Sequence, residues 1–400
     1  EITGSMPANF VLKDLSGITL NGIFKPLNTQ ASKNIKFKRG TYTLEGHKIK
    51  LTDSNISVFG ADVFSDGEIR DIFSKPRIDM KIKADSIALS NLENLANYTN
   101  IALFKAMLAD FGSYKGSMDL NLNIRKNSPR GSVSFNNVSA YNSKQGMELA
   151  SKSGGIRLLK NKLILDSLNF TYGTTPLYFN ATVADYLTEK PVFSAFFTTN
   201  IDENATDRLV NPYLVYPFKV RGEILLSGRI KGDLNNYSVF SRLVLPRDTD
   251  ISYMGANVGD SEYEREFESS ADFTKNTAKI NSAKYIKYIP SQNNKPTPVT
   301  MLKVNGRVIS KHDRLSFDNL RVVSENPVTA KIFNVIFKKS VLKQGLFTCN
   351  LNLNGNVELP AATGKINFQN INIPLYNTKI SDMDFVITKK SINGLLRGKS

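Results

Sequence analysis

The feature that most constrains the fold is a period-two alternation of apolar and polar residues, which is clearest over residues 131–186. Three segments in this stretch alternate in this way, and Gly, Pro, Asn or Ser bounds each of them. Alternation at period two is typical of strands with one buried and one solvated face, and the bounding residues are typical of turns. The stretch therefore predicts half-buried antiparallel strands.

A short phrase recurs along the chain, in which two alternating apolar residues, a polar pair and two more alternating apolar residues follow one another. It occurs at residues 133–140, 163–170, 315–322 and 366–373, and more loosely at 49–58 and 80–89. The step from Phe135 to Val138 would put these two side chains on opposite faces of a regular strand. A β-bulge or a two-residue hairpin returns both to one face, and we favour the bulge. Repeated bulges predict a sheet that curls in one direction.

The domain organisation predicted from the pattern is one continuous repetitive body over residues 1–400. The chain has 400 residues, and no Pro-, Gly- or Ser-rich linker divides it. Approximate repeats cover residues 67–190, 191–300 and 301–400, and they share a plan of strand, short helix, glycine-started strand, turn and second strand. The third repeat has no clear helix, so the repetition is partly degenerate.

The two ends of the sequence suggest a piece of a longer protein. The chain lacks a starting Met and a signal-peptide layout, and it begins and stops in the middle of the strand pattern. No run of eighteen apolar residues occurs that could span a bilayer as a helix. We therefore expect that a targeting or anchoring segment belongs to a part of the protein that is absent here.

The charge of the chain is strongly positive, because Lys and Arg exceed Asp and Glu by 52 − 36 = 16. Such a charge favours anionic partners such as lipid head groups, nucleic acid or acidic glycans. The basic residues are scattered through the strands without a Lys/Arg block, which is also typical of an ordinary solvated β surface.

Three segments depart from the strand pattern. An apolar stripe at helical spacing predicts a helix over residues 91–111, with Ser90 as its cap and Glu93 in capping-box position. We expect this helix to pack on the sheet, although a membrane-surface helix is an alternative. The charged residues 260–275 predict an excursion loop or an edge strand, and residues 291–298 predict a loop.

Residues with catalytic or metal-binding chemistry form no recognisable constellation. His47 and His312 lie in polar stretches without ligand-type neighbours, so we interpret both as surface residues. Cys349 alternates within a strand pattern and has no His near it in the sequence, which favours a strand residue over a nucleophile. Asp382 and Asp384 occupy alternating positions, which predicts a solvated pair on one face of a sheet. No metal, cofactor or catalytic residue is therefore predicted.

The basic and aromatic run from Tyr285 to Tyr288 raises the possibility of nucleic-acid binding by stacking and charge. An ordinary strand with one wet face explains the same run, and we expect no nucleic-acid partner.

The apolar stripe of each predicted strand must be covered by something. A sandwich, a β-helix, or a curled sheet that holds a ligand would each cover it, and one helix per hundred residues is too few. The residues that we assign to this apolar face, and to a lipid groove if it is open, are Leu120, Leu122, Ile124, Val133, Phe135, Ile224, Leu226, Leu351, Leu353, Ile366 and Phe368.

Three motifs resemble the AsmA-like and TamB-like envelope protein family. They are the glycine-started strands with alternating Leu or Ile at 116–124 and 222–228, the Gly-x-apolar-x-Phe-x-Asn phrase at 131–137 and 364–370, and the alternating run 76–87 before the predicted helix. The resemblance is one of repeat style, and it covers most of the chain. It implies a mostly β fold, an elongated and curled antiparallel sheet, taco-like in section, with a few short helices and an apolar groove.

The same resemblance implies a role and a location. Members of the family are anchored in the inner membrane, cross the periplasm, and are implicated in moving phospholipids to the outer membrane, much as bridge-like lipid transfer proteins do in eukaryotes. Phospholipids or other acyl lipids, anionic membrane surfaces and other envelope proteins are the partners expected. The charged segment 260–275 and the absent anchor depart from the family pattern.

Three functional hypotheses follow. The first is a non-enzymatic lipid conduit in which acyl chains lie along the apolar face. The second is a structural or adhesive β-solenoid whose core is closed on itself. The third, an enzyme on a β scaffold, has no residues to support it. An apolar face that is open and wide enough for acyl chains distinguishes the first from the second.

Overall fold

The structure is a computed structural model. It describes residues 2–5, 19–23, 35–58, 60–72, 74–91, 111–144, 146–188, 190–211, 218–253, 256–257, 261–291, 296–311, 314–334, 341–357, 360–373 and 378–398. The protein is mostly β, and its strands form antiparallel sheet with a few short helical turns, which confirms the predicted fold class. The chain divides into two compact units. Unit 1 comprises residues 1–173 and 178–191, and unit 2 comprises residues 174–177 and 192–400.

Unit 1 is an antiparallel meander in which each strand pairs with the next strand along the chain. Its strands are β1 (Ile2–Ser5), β2 (Thr19–Ile23), β3 (Ile35–Glu45), β4 (Lys48–Val58), β5 (Ala61–Arg70), β6 (Arg77–Ala88), β7 (Gly112–Arg125), β8 (Ser128–Asn142), β9 (Met147–Leu159) and β10 (Lys162–Tyr172). A 3₁₀ turn, Leu89–Asn91, follows β6. The next strand, β11 (Thr175–Ala184), has residues in both units.

Unit 2 also pairs its long strands in chain order. Its strands are β12 (Val192–Ile201), β13 (Phe218–Arg221), β14 (Ile224–Gly232), β15 (Tyr237–Leu245), β16 (Asp250–Tyr253), β17 (Ala256–Asn257), β18 (Glu264–Thr274), β19 (Thr277–Ile289), β20 (Thr297–Lys311), β21 (Arg314–Ser324), β22 (Val328–Thr329), β23 (Gln344–Asn356), β24 (Ala361–Ile373), β25 (Thr378–Ile387) and β26 (Ile392–Gly398). The antiparallel ladder runs through β12, β14, β15, β18, β19, β20, β21, β23, β24, β25 and β26.

The connections of unit 2 differ at the two ends of its strands. Tight turns join β14 to β15 and β18 to β19 at one end. At the other end the connections are longer and form small elements of their own. These are an α-helical turn, Glu203–Ala205, a π turn, Thr206–Val210, a 3₁₀ turn, Ala330–Phe333, and a separate sheet of β13, β16 and β17.

The recurring phrase folds as a β-bulge. Its second polar residue is Asn137, Asn319 or Asn370 in three of the copies, and each of these residues has a positive φ of 46°, 52° or 51°. The pairing register shifts beside each one, in the ladders β7–β8, β20–β21 and β23–β24. Asn tolerates the left-handed conformation better than most residues, which suits it to this position. The bulge interpretation is therefore confirmed at these three copies.

The bulge returns the flanking apolar side chains to one face. Phe368 and Ile371 stand on either side of Asn370, and both contact the same apolar cluster. In a regular strand these two residues would point to opposite faces.

The prediction of a loop or edge strand over residues 260–275 is wrong for residues 264–274. Residues 264–274 form β18, which pairs with β15 on one side and with β19 on the other. The acidic side chains that break the alternation face basic side chains on the neighbouring strands, since Glu266 binds Arg242 and Glu268 lies 3.7 Å from Lys284. Partners on adjacent strands therefore permit an interior strand that looks too charged in isolation.

The remaining segment predictions fall partly outside the described residues. The predicted helix 91–111 lies outside them, except for residue 91 in a 3₁₀ turn and residue 111. Of the loop 291–298, residues 292–295 lie outside them, and β20 already begins at Thr297.

Candidate functional site

The apolar face of unit 1 is built by aligned rows of side chains that run across the strands. Residues directly opposite each other in an antiparallel ladder point to the same face. One such row crosses seven consecutive strands, β4 to β10, and every member is apolar. The row is Ile56, Val63, Ala84, Leu120, Val133, Ile156 and Leu165.

A second row lies beside it on the same face. It contains Ser65, Ile82, Leu122, Gly131, Leu158 and Leu163. Ile124 lies on this face opposite Met80, and Phe135 lies on it opposite Met118. The five predicted site residues of unit 1 therefore share one face, as the alternation indicates.

The side chains of this face in unit 1 remain partly exposed. Leu120, Leu122, Ile124, Val133 and Phe135 are all half-buried. The described residues form three tightly packed apolar clusters, and none of these lies in unit 1. Seven strands at about 4.8 Å spacing give a half-exposed apolar strip about 29 Å long.

The apolar face of unit 2 contains a shallow row of small side chains. Gly228, Ser241, Ser269 and Ala283 lie opposite one another on four neighbouring strands. The two Ser hydroxyls are 2.6 Å apart and hydrogen-bond to each other, which satisfies their polarity within the row. Larger side chains flank the row on both sides. They are Leu226, Leu243, Phe267 and Tyr285 on one side, and Ile230, Val239, Ala271 and Ile280 on the other.

At one end of the strands, small elements cover the apolar face of unit 2. Ile224 is only 2% exposed, because it packs with Leu245 against Val220 of β13 and Ile251 of β16. The sequence pattern assigns Ile224 to the apolar face, and to a lipid groove only if that face is open. At Ile224 the face is closed, because the small sheet covers it. Leu226, two residues further along β14, is half-buried.

A second cover lies over β23 and β24. The ring of Phe333, in the 3₁₀ turn Ala330–Phe333, lies 4.8 Å from that of Phe347 and 5.1 Å from that of Phe368. Leu351, Ile366 and Phe368 pack in this covered cluster, whereas Leu353 lies outside it and is half-buried. The predicted site residues of unit 2 are thus a mixture of covered and partly exposed positions.

The opposite, polar face of each unit carries cross-strand ion pairs, and open hollows lie on it among the described residues. One hollow of ≈690 Å³ lies on unit 1 among Thr41, Phe64, Lys81 and Asn121, and two more, of ≈660 and ≈500 Å³, lie on unit 2 among the polar residues of β20 to β25. The sequence gives no sign of these hollows, because strand alternation does not reveal which residues become neighbours across the sheet.

Glu266 is an enclosed charge on the polar face of unit 2, and its side chain is 2% exposed. Arg242 donates to both carboxylate oxygens of Glu266, from Nε and Nη2 at 2.7 Å each. Tyr288 donates its hydroxyl to Oε2, also at 2.7 Å. These hydrogen bonds, chiefly those from Arg242, hold the pKa of Glu266 below its ordinary value. The arrangement satisfies the carboxylate fully, which indicates a structural role.

The residues that the sequence singled out for possible catalysis or nucleic-acid binding take part in packing and hydrogen bonds within the sheet. Cys349 is a strand residue as predicted, and burial raises the pKa of its thiol. Tyr285 is buried and stacks on Phe267 at 4.8 Å. Asp382 and Asp384 share one face, and both accept hydrogen bonds from Nδ2 of Asn367, at 2.7 and 2.9 Å.

The structure describes only one of the two histidines. His47 lies in the turn between β3 and β4, while His312 lies outside the described residues. Within the described part of the chain, no group of three or more His, Cys, Asp or Glu side chains is placed to hold a metal ion.

In the part of the chain that the structure describes, no helix has the length and apolarity needed to cross a bilayer. Comparison of the chain with models of protein families, with curated proteins and with solved structures gave no match in any of the three.

Proposed function

We propose that the protein binds acyl lipids, phospholipids among them, along the apolar face of its sheet and passes them along that face without catalysing a reaction. The observation that carries the proposal is the row of seven apolar side chains across β4 to β10, six of them half-buried. Exposed apolar surface that is continuous over several strands is uncommon on proteins without an apolar partner. Transfer of lipid between the inner and outer membranes of a bacterial envelope is the role that the AsmA-like resemblance adds to this proposal.

The energetics suit reversible binding. Each buried methylene contributes about 0.8 kcal/mol, so an acyl chain gains stability from every strand that it crosses. Neighbouring positions along the row are chemically alike, which lets a chain shift by one strand spacing at little cost. The row of small side chains in unit 2, flanked by larger ones, supports the same use there.

The test is a pair of changes on the apolar face beside this row, Leu122→Asp with Phe135→Asp, combined with native mass spectrometry for bound lipid and a transfer assay between vesicles. We expect loss of bound lipid and of transfer while circular dichroism changes little, because a carboxylate on an open face stays hydrated. Asn121→Asp with Ser134→Asp, on the polar face of the same two strands, is the matched control and should keep both activities. Wild-type protein that consistently carries no lipid would refute the proposal.

The second candidate is a structural or adhesive β protein with a closed core. The covered clusters of unit 2, around Ile224 and around Phe347, favour it. Under this alternative Leu122→Asp would bury a charge and unfold the protein, so the melting temperature of that variant separates the two candidates.

A further inference from the structure

One hollow on the polar face of unit 2 has an unusual lining. It crosses β20, β21, β23 and β24 and has a volume of ≈660 Å³. Its lining contains two cations and four amide side chains, and no Asp or Glu. The residues are Asn305, Asn319, Arg321, Asn350, Leu351, Asn352, Thr363, Gly364 and Lys365.

The two cations of the hollow have amide neighbours, whereas two cations next to the hollow on the same face have carboxylate partners. On the flanking positions, Lys303 pairs with Glu325, and Arg307 pairs with Asp318 at 3.0 Å. Arg321, by contrast, lies opposite two amide side chains on the adjacent strands. Carboxylates therefore neutralise Lys303 and Arg307 beside the hollow, whereas no carboxylate lines the hollow itself.

The residues directly opposite the two cations on the neighbouring strands are uncharged. Arg321 stands between Asn305 and Asn352. Lys365 stands between Asn350 and Val386. An amide next to a cation cannot cancel its charge, but it can supply further hydrogen-bond donors to a shared anion.

A third observation concerns Asn352, whose side-chain oxygen is buried without a hydrogen-bond partner. An unsatisfied buried polar atom is uncommon, because it loses its bond to water and gains none. A 180° turn of the same amide exchanges its oxygen for its NH₂ group, which would place two donors at this position. A ligand with several acceptor oxygens would satisfy the amide and the two cations together.

We propose that this hollow binds a phosphate-like oxyanion group. Arg321 of β21 has the planar fork that matches two oxygens of such a group, and Lys365 adds a point charge from β24, on the far side of β23. The Asn side chains supply directional donors. The hollow lies on the face opposite the apolar rows, so the inference is independent of lipid binding by those rows.

The experiment is a calorimetric titration of the whole chain with inorganic phosphate at low ionic strength. We expect saturable binding, which sulfate displaces and chloride at equal ionic strength does not. Arg321→Gln and Lys365→Gln should each weaken it about tenfold, the effect of losing one charge-assisted hydrogen bond. Arg321→Lys, which keeps the charge and loses the fork, should fall between wild type and Arg321→Gln.

Matched controls lie on the same face. Arg307→Gln and Lys303→Gln remove the same charges from positions that already have carboxylate partners, and each should leave the affinity within about twofold of wild type. Circular dichroism should be unchanged in all five variants, because the side chains are exposed. Phosphate binding that fails to saturate, or that falls equally in the controls, would overturn the proposal.

The phosphate group has two possible sources, which further titrations distinguish. Glycerol 3-phosphate that binds more tightly than inorganic phosphate, with the same loss in Arg321→Gln, indicates a soluble phosphate ester. Binding to phosphatidic acid vesicles that exceeds binding to other anionic vesicles, with Arg321→Gln removing this excess and with no gain from glycerol 3-phosphate, indicates a lipid head group. Both results support an oxyanion site, and neither depends on the acyl-binding rows.

Discussion

At the scale of single residues, burial separates two apolar positions that the sequence pattern treats alike. Ile224 is 2% exposed in a cluster with Val220, Leu245 and Ile251, whereas Leu122 is half-buried on a face without such a cluster. Ile224→Asp should unfold unit 2, because an unpaired carboxylate in a closed apolar cluster costs several kcal/mol. Leu122→Asp should lower the stability by about 1–2 kcal/mol at most.

Thermal and urea unfolding followed by circular dichroism measure this difference. Asn121→Asp, on the polar face next to Leu122, is the control for an added charge and should change little. Equal destabilisation by Ile224→Asp and Leu122→Asp would show that the apolar face of unit 1 is sealed as well.

A second residue-scale prediction concerns acid. The pKa of Glu266 is lowered in the folded protein by Arg242 and Tyr288, from an ordinary value of 4.5. A group of this kind contributes stability above its unfolded pKa, and the contribution disappears as the pH falls through the folded pKa. Glu266→Gln should therefore be less stable than wild type at pH 7, and the gap should narrow progressively below about pH 4.5.

Urea midpoints of both proteins between pH 7 and pH 3 test this sign. Glu268→Gln is a useful control, because its side chain is more exposed and its Lys284 partner is 3.7 Å away. A gap between wild type and Glu266→Gln that stays constant with pH would contradict the role assigned to the carboxylate.

At the scale of elements, the bulges explain why certain glycines are required. Gly116 of β7 faces the bulge at Asn137 and has a φ of 92°. A Cβ at Gly116 would lie 2.3 Å from the carbonyl oxygen of Asn137, which is backbone and has little room to move. Gly306 meets the carbonyl oxygen at the Asn319 bulge in the same way, whereas a Cβ at Gly345 would first meet the side chain of Ile371, next to the bulge at Asn370.

We therefore expect Gly116→Ala to destabilise unit 1 by about 1–3 kcal/mol, through clash and through strain at positive φ. Gly112→Ala, in the same strand, is the matched control, since a Cβ there would meet nothing within 4 Å. Melting temperatures of the two variants provide the measurement. If Gly116→Ala and Gly112→Ala have the same melting temperature, the bulge can accommodate a Cβ and glycine is not required at position 116.

The sequence predicts some of these elements and not others. Strands and bulges were predictable, because alternation and the Asn position are local signals, as residues 131–138 illustrate. The interior position of strand β18 was not, because Glu266 and Glu268 are neutralised by residues on other strands. The cover over Ile224 was missed for a related reason, since β13 and β16 are short and acquire their place only by packing.

At the scale of the whole molecule, alternation gives each unit two faces with different chemistry. The identity of the apolar residues was predictable, but their alignment into rows depends on register, which turns and bulges determine together. The hollow around Arg321 depends on the same register, because its lining residues come from four strands. The sequence therefore predicts which residues belong to each face of a sheet. The structure is needed to show which of them become neighbours across adjacent strands.

The last prediction concerns the net charge of +16, which belongs to the chain as a whole. Its basic residues are spread over many strands, so attraction to an anionic membrane surface should come from the summed field. We expect binding to anionic vesicles at low salt that is largely lost by about 1 M salt, where the Debye length falls to about 3 Å. Vesicle sedimentation over a salt series measures it, with neutral vesicles as the control. Removing the charges of Arg321 and Lys365 together leaves 16 − 2 = 14, so this double variant should retain most of the binding if the summed field governs it. Equal binding to neutral and anionic vesicles would show that the charge does not direct the protein to membranes.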